Sequence, residues 1–335
     1  MSYKSINVTT IMLTVVCVTL GAANAGELPG KGVTIQPSDQ NYTVEWFQEE
    51  LVDMGLRELG YDVKEPVSMQ LQAAFLAVAN GDATIYSAYA DPLHKAFYEK
   101  AGGKTKLQPV GTLVDGSVQG YLIDKKTAGA YKIKTINQFK DPNIAKMFDV
   151  DGDGKADLYG CDPGWGCERI IDHHLDAYGL RDTVTQLQGS YETIIADAIE
   201  RIKAGKPTLY YTWTPMWLSG ILRPGHEVQW LTVTSTALPE EQAGAVTEAA
   251  GIGNTGFPVI TQHVIANTTF LNQNPAARKW FELLNVSVED INAENQLVHD
   301  GQSTRTDVQK HAEDWRAKHK KQWDAWIAEA KAAAK

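Results

Sequence analysis

The chain has 335 residues, with 41 acidic against 31 basic side chains and a formal net charge of −10. That balance disfavours nucleic acid and anionic lipid as partners, because their phosphates repel it. The length exceeds the roughly 250–300 residues at which a single core stops growing, so two lobes are expected.

Residues 1–25 carry one charge, Lys4, then an apolar run from Ile11 to Leu20 and the small-x-small pattern Ala23-Asn24-Ala25. This reads as a cleaved export signal, so the rest of the chain is expected to be exported. No later stretch approaches the roughly 20 apolar residues a spanning helix needs. Cys17 follows Val15-Val16 inside the apolar run, so no lipid anchor is expected.

Gly32 to Gln36 reads as a short strand, and Thr43 as the N-cap of a helix carrying Phe47, Leu51, Met54 and Leu59, closed by Gly60. Tyr61 to Val63 starts the next strand, and a helical pattern through Leu71, Phe75 and Val78 stops at Asn80-Gly81. Alternating strand and helix argue for α/β layers with parallel strands. Ser117 to Ile123 reads as a strand leaving the first lobe, and Gly256 to Ile260 as the return crossing. The expected division is therefore 26–120 with 258–335 as lobe I and 121–257 as lobe II. Leu238 to Asn254 shows little periodicity and reads as a surface loop. From Ser303 onward, Val308, Ala312, Trp315, His319, Trp323 and Trp326 follow one long amphipathic helix, whose indoles serve packing, with a frayed tail after Ala328.

Two strand-to-proline turns echo each other: Asp91-Pro92 in the first lobe and Thr214-Pro215 in the second. Ligands in open α/β sheets gather at the carboxyl ends of strands, so both turns are candidate walls of one cleft. Trp213 stands at the second. Trp165 stands at the start of a helix marked by Ile171, Leu175 and Tyr178. Indole faces attract cations by roughly 0.5–1 kcal/mol when exposed and about 2 when dry, which suits a methylated ammonium that offers no hydrogen-bond donor. Gly164 to Cys167 lies at that helix N-terminus, whose free backbone amides can hold a carboxylate. The alternative is a stapled turn with a packing tryptophan. Cys161 and Cys167, with five residues between them in an exported chain, favour a disulfide over two separate buried thiols. His94, just past the first turn, is a candidate donor to the anionic end of a ligand, although a lone histidine is more often a surface residue.

Asp149, Asp151, Asp153 and Asp157 occupy positions 1, 3, 5 and 9 of an EF-hand-like loop, with Gly154 at position 6 and Gly160 in place of the bidentate glutamate at position 12. The loop is a candidate for a structural calcium ion, against the alternative of a solvated acidic turn. No cofactor is otherwise required. The adjacent His173 and His174 would point in different directions on a helix and make a poor metal pair. Hydrolase, zinc-protease and phosphate-loop motifs are missing from the sequence, which favours binding over catalysis.

The whole chain after the export signal resembles the periplasmic glycine betaine/proline betaine-binding components of ABC osmoprotectant importers. The likeness is most specific at Gly160-Cys161-Asp162-Pro163-Gly164-Trp165-Gly166-Cys167-Glu168, at Tyr210-Tyr211-Thr212-Trp213-Thr214-Pro215 and from Ala293 to Gly301, and includes Leu28 to Gly32 and Gly120 to Ala128. The resemblance implies a two-lobed class II binding-protein fold with a hinge and an interlobe cleft. It also implies a box of three tryptophans around a trimethylammonium, two backbone amides and a histidine for the carboxylate, and a membrane permease and ATPase as partners of a monomer. Carried over, Trp165 and Trp213 are two walls, Gly166 and Cys167 the amides and His94 the side-chain donor. The third wall does not carry over. Where the family has Asn-Trp-Thr-Pro-Leu-His, this chain has Tyr89-Ala90-Asp91-Pro92-Leu93-His94. Tyr89 or Trp46 is expected to fill the seat left by Ala90, with Asp91 as a carboxylate partner for the cation. The ligand then extends to a larger betaine, dimethylsulfoniopropionate, choline or another amine. A different class of reading is an exported enzyme using Asp91 and His94 as an acid/base pair.

Overall fold

The structure, a computed structural model, describes residues 27–40 and 42–334. The expected export signal, residues 1–25, lies outside the described residues.

One strand organises the molecule. Leu107–Asp124 runs for 18 residues. Its first part pairs antiparallel with Ile260–Asn267, with Ser117 opposite Ile260, and its second part pairs antiparallel with Leu209–Thr214, with Val118 opposite Thr214. On one side the order continues from Ile260–Asn267 through Ile85–Asp91 and Pro37–Asp39 to Val67–Ser68. On the other it continues from Leu209–Thr214 through Ala156–Tyr159 to Val184–Leu187, while Val228–Trp230 pairs with the far end of the long strand. Apart from the antiparallel pair of Val228–Trp230 with the long strand, the outer pairs are parallel, and those flanking the crossing are antiparallel. The sheets are therefore mixed, not purely parallel as the alternation suggested: Ile260–Asn267 runs against both its neighbours on one side, and the long strand runs against Leu209–Thr214 and Val228–Trp230 on the other.

Buried side chains separate in the same way. One cluster draws on residues 121–257 and includes Phe139, Phe148, Ile171, Ile195 and Leu209. Two others draw on residues 35–114 and 260–330: one around Phe47, Leu51, Trp280 and Trp323, the other around Phe75, Tyr86 and Tyr89. Val44 breaks the pattern, since it is early in the chain yet buried in the first cluster. At a close approach inside lobe I, a Cβ on Gly55 would lie 2.1 Å from the Trp280 ring, so only glycine lets that indole reach its partner, the carbonyl of Val52 at 2.9 Å.

Local signals explain most boundaries. The helix Leu71–Asn80 ends on Gly81 at φ 85°, the left-handed conformation glycine adopts without a Cβ clash. Ser287 and Thr304 cap the helices Val288–His299 and Arg305–Lys318 through their side-chain oxygens. Thr43 does not cap the first long helix: it opens a 3₁₀ turn, Thr43–Glu45, and the helix proper is Trp46–Glu58. The C-terminal pattern is two helices, Arg305–Lys318 and Lys320–Ala332. The break at His319, whose ring stacks on Trp315 at 4.0 Å, lets Trp315 and Trp323 both be buried. The tail stays helical to Ala332 because Ala330 is fully buried. The stretch from Leu238 to Asn254 is loop apart from a 3₁₀ turn at Glu240–Gln242 and a two-residue strand pair.

Candidate functional site

Both strand-to-proline turns contain cis peptide bonds, Asp91–Pro92 and Thr214–Pro215. Between them lies a cavity of about 80 Å³. Trp165, Gly166, Cys167, Tyr211, Trp213 and Pro215 line it from one lobe, and Gln40, Tyr42, Glu45, Ala90, Leu93 and His94 from the other.

Trp165 and Trp213 meet with ring centroids 5.8 Å apart at 74°. Tyr42 joins them, 5.2 Å from Trp165 at 64° and 6.3 Å from Trp213 at 51°. The three rings form a corner. Tyr191 supports it from behind: fully buried, it stacks on Trp165 at 6.1 Å and lies 4.8 Å from Trp213. Its hydroxyl donates to the carbonyl of Tyr211 and accepts from the hydroxyl of Thr212. Two hydrogen bonds on the buttress fix the pitch of both indoles.

Next to Trp165 the helix Gly166–Ala177 begins, with Trp165 as an N-cap that makes no side-chain bond. The first amides of a helix have no partner within it. Those of Gly166 and Cys167 are therefore donors at the cavity wall, at the positive end of the helix dipole. The loop leading to them is fixed by a disulfide between Cys161 and Cys167, both buried. The amide of Gly164 donates to Glu168, and that of Tyr191 to Asp162.

Across the cavity, His94 is 7% exposed and burial holds its imidazole down at about 3, so it is neutral. The amide of Ala90 donates to its Nδ1 at 3.2 Å. That bond makes Nδ1 the acceptor and leaves the proton on Nε2, so the ring can donate. Burial pushes Glu45 up to about 8, partly offset by hydrogen bonds from Gln40 and Tyr86. At neutral pH the lining carries no net charge from either group.

The structure thus brings Trp165, Trp213, Gly166, Cys167, His94 and Ala90 to one cavity. It places three other sequence candidates elsewhere. Tyr89 points into the core beside Phe75 and Tyr98, because successive residues of a strand face opposite sides. Asp91 does not line the cavity and accepts the Tyr89 hydroxyl at 3.0 Å. Trp46 lies under the guanidinium of Arg305, 3.9 Å from its ring centroid. Of the acid/base pair of the enzymatic reading, His94 lines the cavity and Asp91 does not. The sequence reading missed Tyr42, Glu45 and Tyr191.

The acidic loop brings carboxylate oxygens of Asp149, Asp151 and Asp153 within 4.8 Å of one another. Asp149 accepts the amides of Gly152 and Gly154, Asp151 that of Asp153, and Asp153 that of Lys155. Asp157 is buried and accepts the amide of Val150 instead of joining the other three. His174 is buried with its Nδ1 2.9 Å from the Tyr121 hydroxyl, and burial holds it down at about 3.

Residues 33–318 match the model of the substrate binding domain of ABC-type glycine betaine transport systems, and the chain belongs to that family. It is 49% identical over 311 residues to the glycine betaine/proline betaine-binding periplasmic protein of Escherichia coli K12, covering 93% of this chain and 94% of that one. It is 44% identical to the glycine betaine-binding periplasmic protein OusX of Dickeya dadantii, covering 99% of this chain and all of the relative. The fold is shared with a lactococcal protein crystallised closed on glycine betaine (TM-score 0.66, 20% identity, 88% of this chain and 99% of that one). An ABC-transporter choline-binding protein in complex with choline has the same fold (TM-score 0.68, 15% identity, 90% and 98%).

Proposed function

We propose that this protein is the extracytoplasmic substrate-binding component of an ABC importer for glycine betaine-type osmolytes, delivering its ligand to a membrane permease driven by an ATPase. The observation that carries the reading is the corner of Trp165 and Trp213 beside the free amides of Gly166 and Cys167. Ring faces within about 6 Å of a cation attract it without needing a hydrogen bond from it. The adjacent amides and the neutral His94 suit a carboxylate. A cavity with no net charge favours a ligand that is positive at one end and negative at the other. The names of the E. coli and Dickeya relatives agree with this ligand class.

Ala90 supports a second ligand range within the same function. A methyl group where the resemblance has an indole leaves space for a longer betaine, dimethylsulfoniopropionate or choline. Titration calorimetry with these four ligand types tests both versions, and mass spectrometry of small molecules carried through purification tests them independently. Saturable binding of at least one, returned chemically unchanged after long incubation, is the expected result. No heat with any member of the panel would end the proposal.

A further inference from the structure

From the strand Ile85–Asp91, lobe I offers the cavity only the methyl groups of Ala88 and Ala90. Facing the two indoles is instead the turn that precedes the helix Trp46–Glu58. We infer that this turn supplies lobe I's half of the cation site, with the Tyr42 ring as the third aromatic wall and the Glu45 carboxyl group as the acidic neighbour that sets the balance between zwitterionic and purely cationic ligands. The inference rests on the onium-binding reading above and adds the residues that choose among onium compounds.

Three contacts hold Tyr42 in place. Its ring meets both indoles at steep angles. Its hydroxyl lies 3.9 Å from the sulfur of Met216 in the opposite lobe. Val44, two residues on, is buried in the core of that lobe. The turn belongs to lobe I by chain connection and to lobe II by packing, so its ring reaches the indoles when the lobes are together.

Glu45 sits one turn further and opens on the same cavity. Its hydrogen-bond partners are the neutral amide of Gln40 and the hydroxyl of Tyr86, on the strand Ile85–Asp91. Two acidic side chains act on it, Asp39 from the preceding strand and Glu49 from the following helix; His94, neutral, lines the same cavity. The guanidinium of Arg305 is engaged by Asp39, by Glu49 at 3.5 Å and by the face of Trp46. Among the described residues no positive group pairs with Glu45, and burial keeps its proton on near neutrality. The protonated form suits a ligand carrying its own carboxylate. Once ionised, Glu45 adds a negative charge beside the cage, which a cation without a carboxylate can use. By linkage, such a cation must displace the proton when it binds.

The test is calorimetry on the full chain after signal removal, with glycine betaine and with choline at pH 7 and pH 9. Wild type, Tyr42→Phe, Tyr42→Leu and Glu45→Gln are compared. Tyr42→Phe keeps glycine betaine affinity within threefold, while Tyr42→Leu, of comparable apolar bulk but no ring face, loses about tenfold. Wild-type choline affinity rises at least threefold from pH 7 to pH 9, with proton release into buffers of differing ionisation heat, and Glu45→Gln shows neither effect. Equal affinities for the Leu and Phe variants, or an unchanged pH slope in Glu45→Gln, overturn the inference. Wild type that binds neither compound at either pH refutes instead the onium reading beneath it.

Discussion

Gly166 is the position where one methyl group separates ligand binding from folding. Built on its backbone, a Cβ would lie 2.6 Å from Cγ and 2.8 Å from the carbonyl oxygen of Leu93, which belongs to the other lobe. A carbonyl in a turn held by the bond from Gln242 to that same oxygen cannot step aside cheaply. Overpacking of this kind costs about 1–3 kcal/mol, and the cost falls only on the form in which the lobes meet. Gly166→Ala should therefore weaken glycine betaine between about 5-fold and 150-fold. Inside its own lobe the change is benign: Gly166 starts a helix, where alanine is favoured over glycine by up to about 1 kcal/mol. The unliganded melting temperature should stay level or rise. Calorimetry gives the affinity, thermal unfolding the stability, and small-angle scattering the compaction on adding ligand. A variant that binds within twofold of wild type and compacts equally would refute the steric argument.

Trp213→Ala removes one ring from the corner and should cost up to about 2 kcal/mol in a dry site, or about 30-fold in glycine betaine affinity, measured by the same titration. Cys161→Ser with Cys167→Ser opens a short loop, a sequence separation of six; the chain-entropy model assigns such a loop about 2 kcal/mol, read as a lower melting temperature that reductant no longer changes. Burial pushes Asp53 up to about 8, against the pull of Arg57. Because the folded state then holds a proton the unfolded chain releases, this group's contribution to stability falls as pH rises from about 4 to 8. The melting temperature of Asp53→Asn relative to wild type should accordingly climb across that window and level off above it. His94 stays neutral above about pH 4, so His94→Phe should weaken binding by the same factor at pH 5.5 and at pH 7.5; a loss confined to the lower pH would show that the histidine acts as a cation.

Much of this site was legible because its signals are short-range. Trp165, Gly166 and Cys167 occupy one helix start between two cysteines, and Trp213 ends a strand beside a proline; in each case local sequence sets which way the group faces. Tyr42 was not legible, since Gln40-Asn41-Tyr42 shows no periodicity and its partners, Trp165, Trp213 and Met216, lie far along the chain. Tyr191 opens the helix Tyr191–Lys203, and only the folded chain puts its ring behind both indoles. Tyr89 illustrates the opposite error: it neighbours the vacated seat in sequence, but the strand's alternation turns it into the core. The two-lobed layout followed from length and from the crossing stretches. The mixed sheet did not, because the direction of the returning strand depends on which neighbour it meets.

The chain passes between the lobes twice, at Ser117–Val118 and near Pro258, and the two passages lie side by side: Ile260 pairs with Ser117, and the Gln119 amide donates to the carbonyl of Pro258. A double ribbon of this sort bends far more readily than it stretches or shears. The halves can swing like the covers of a book but cannot slide along one another. On the importer reading proposed above, the angle between the halves is then the one feature of the outer shape that bound cargo can change.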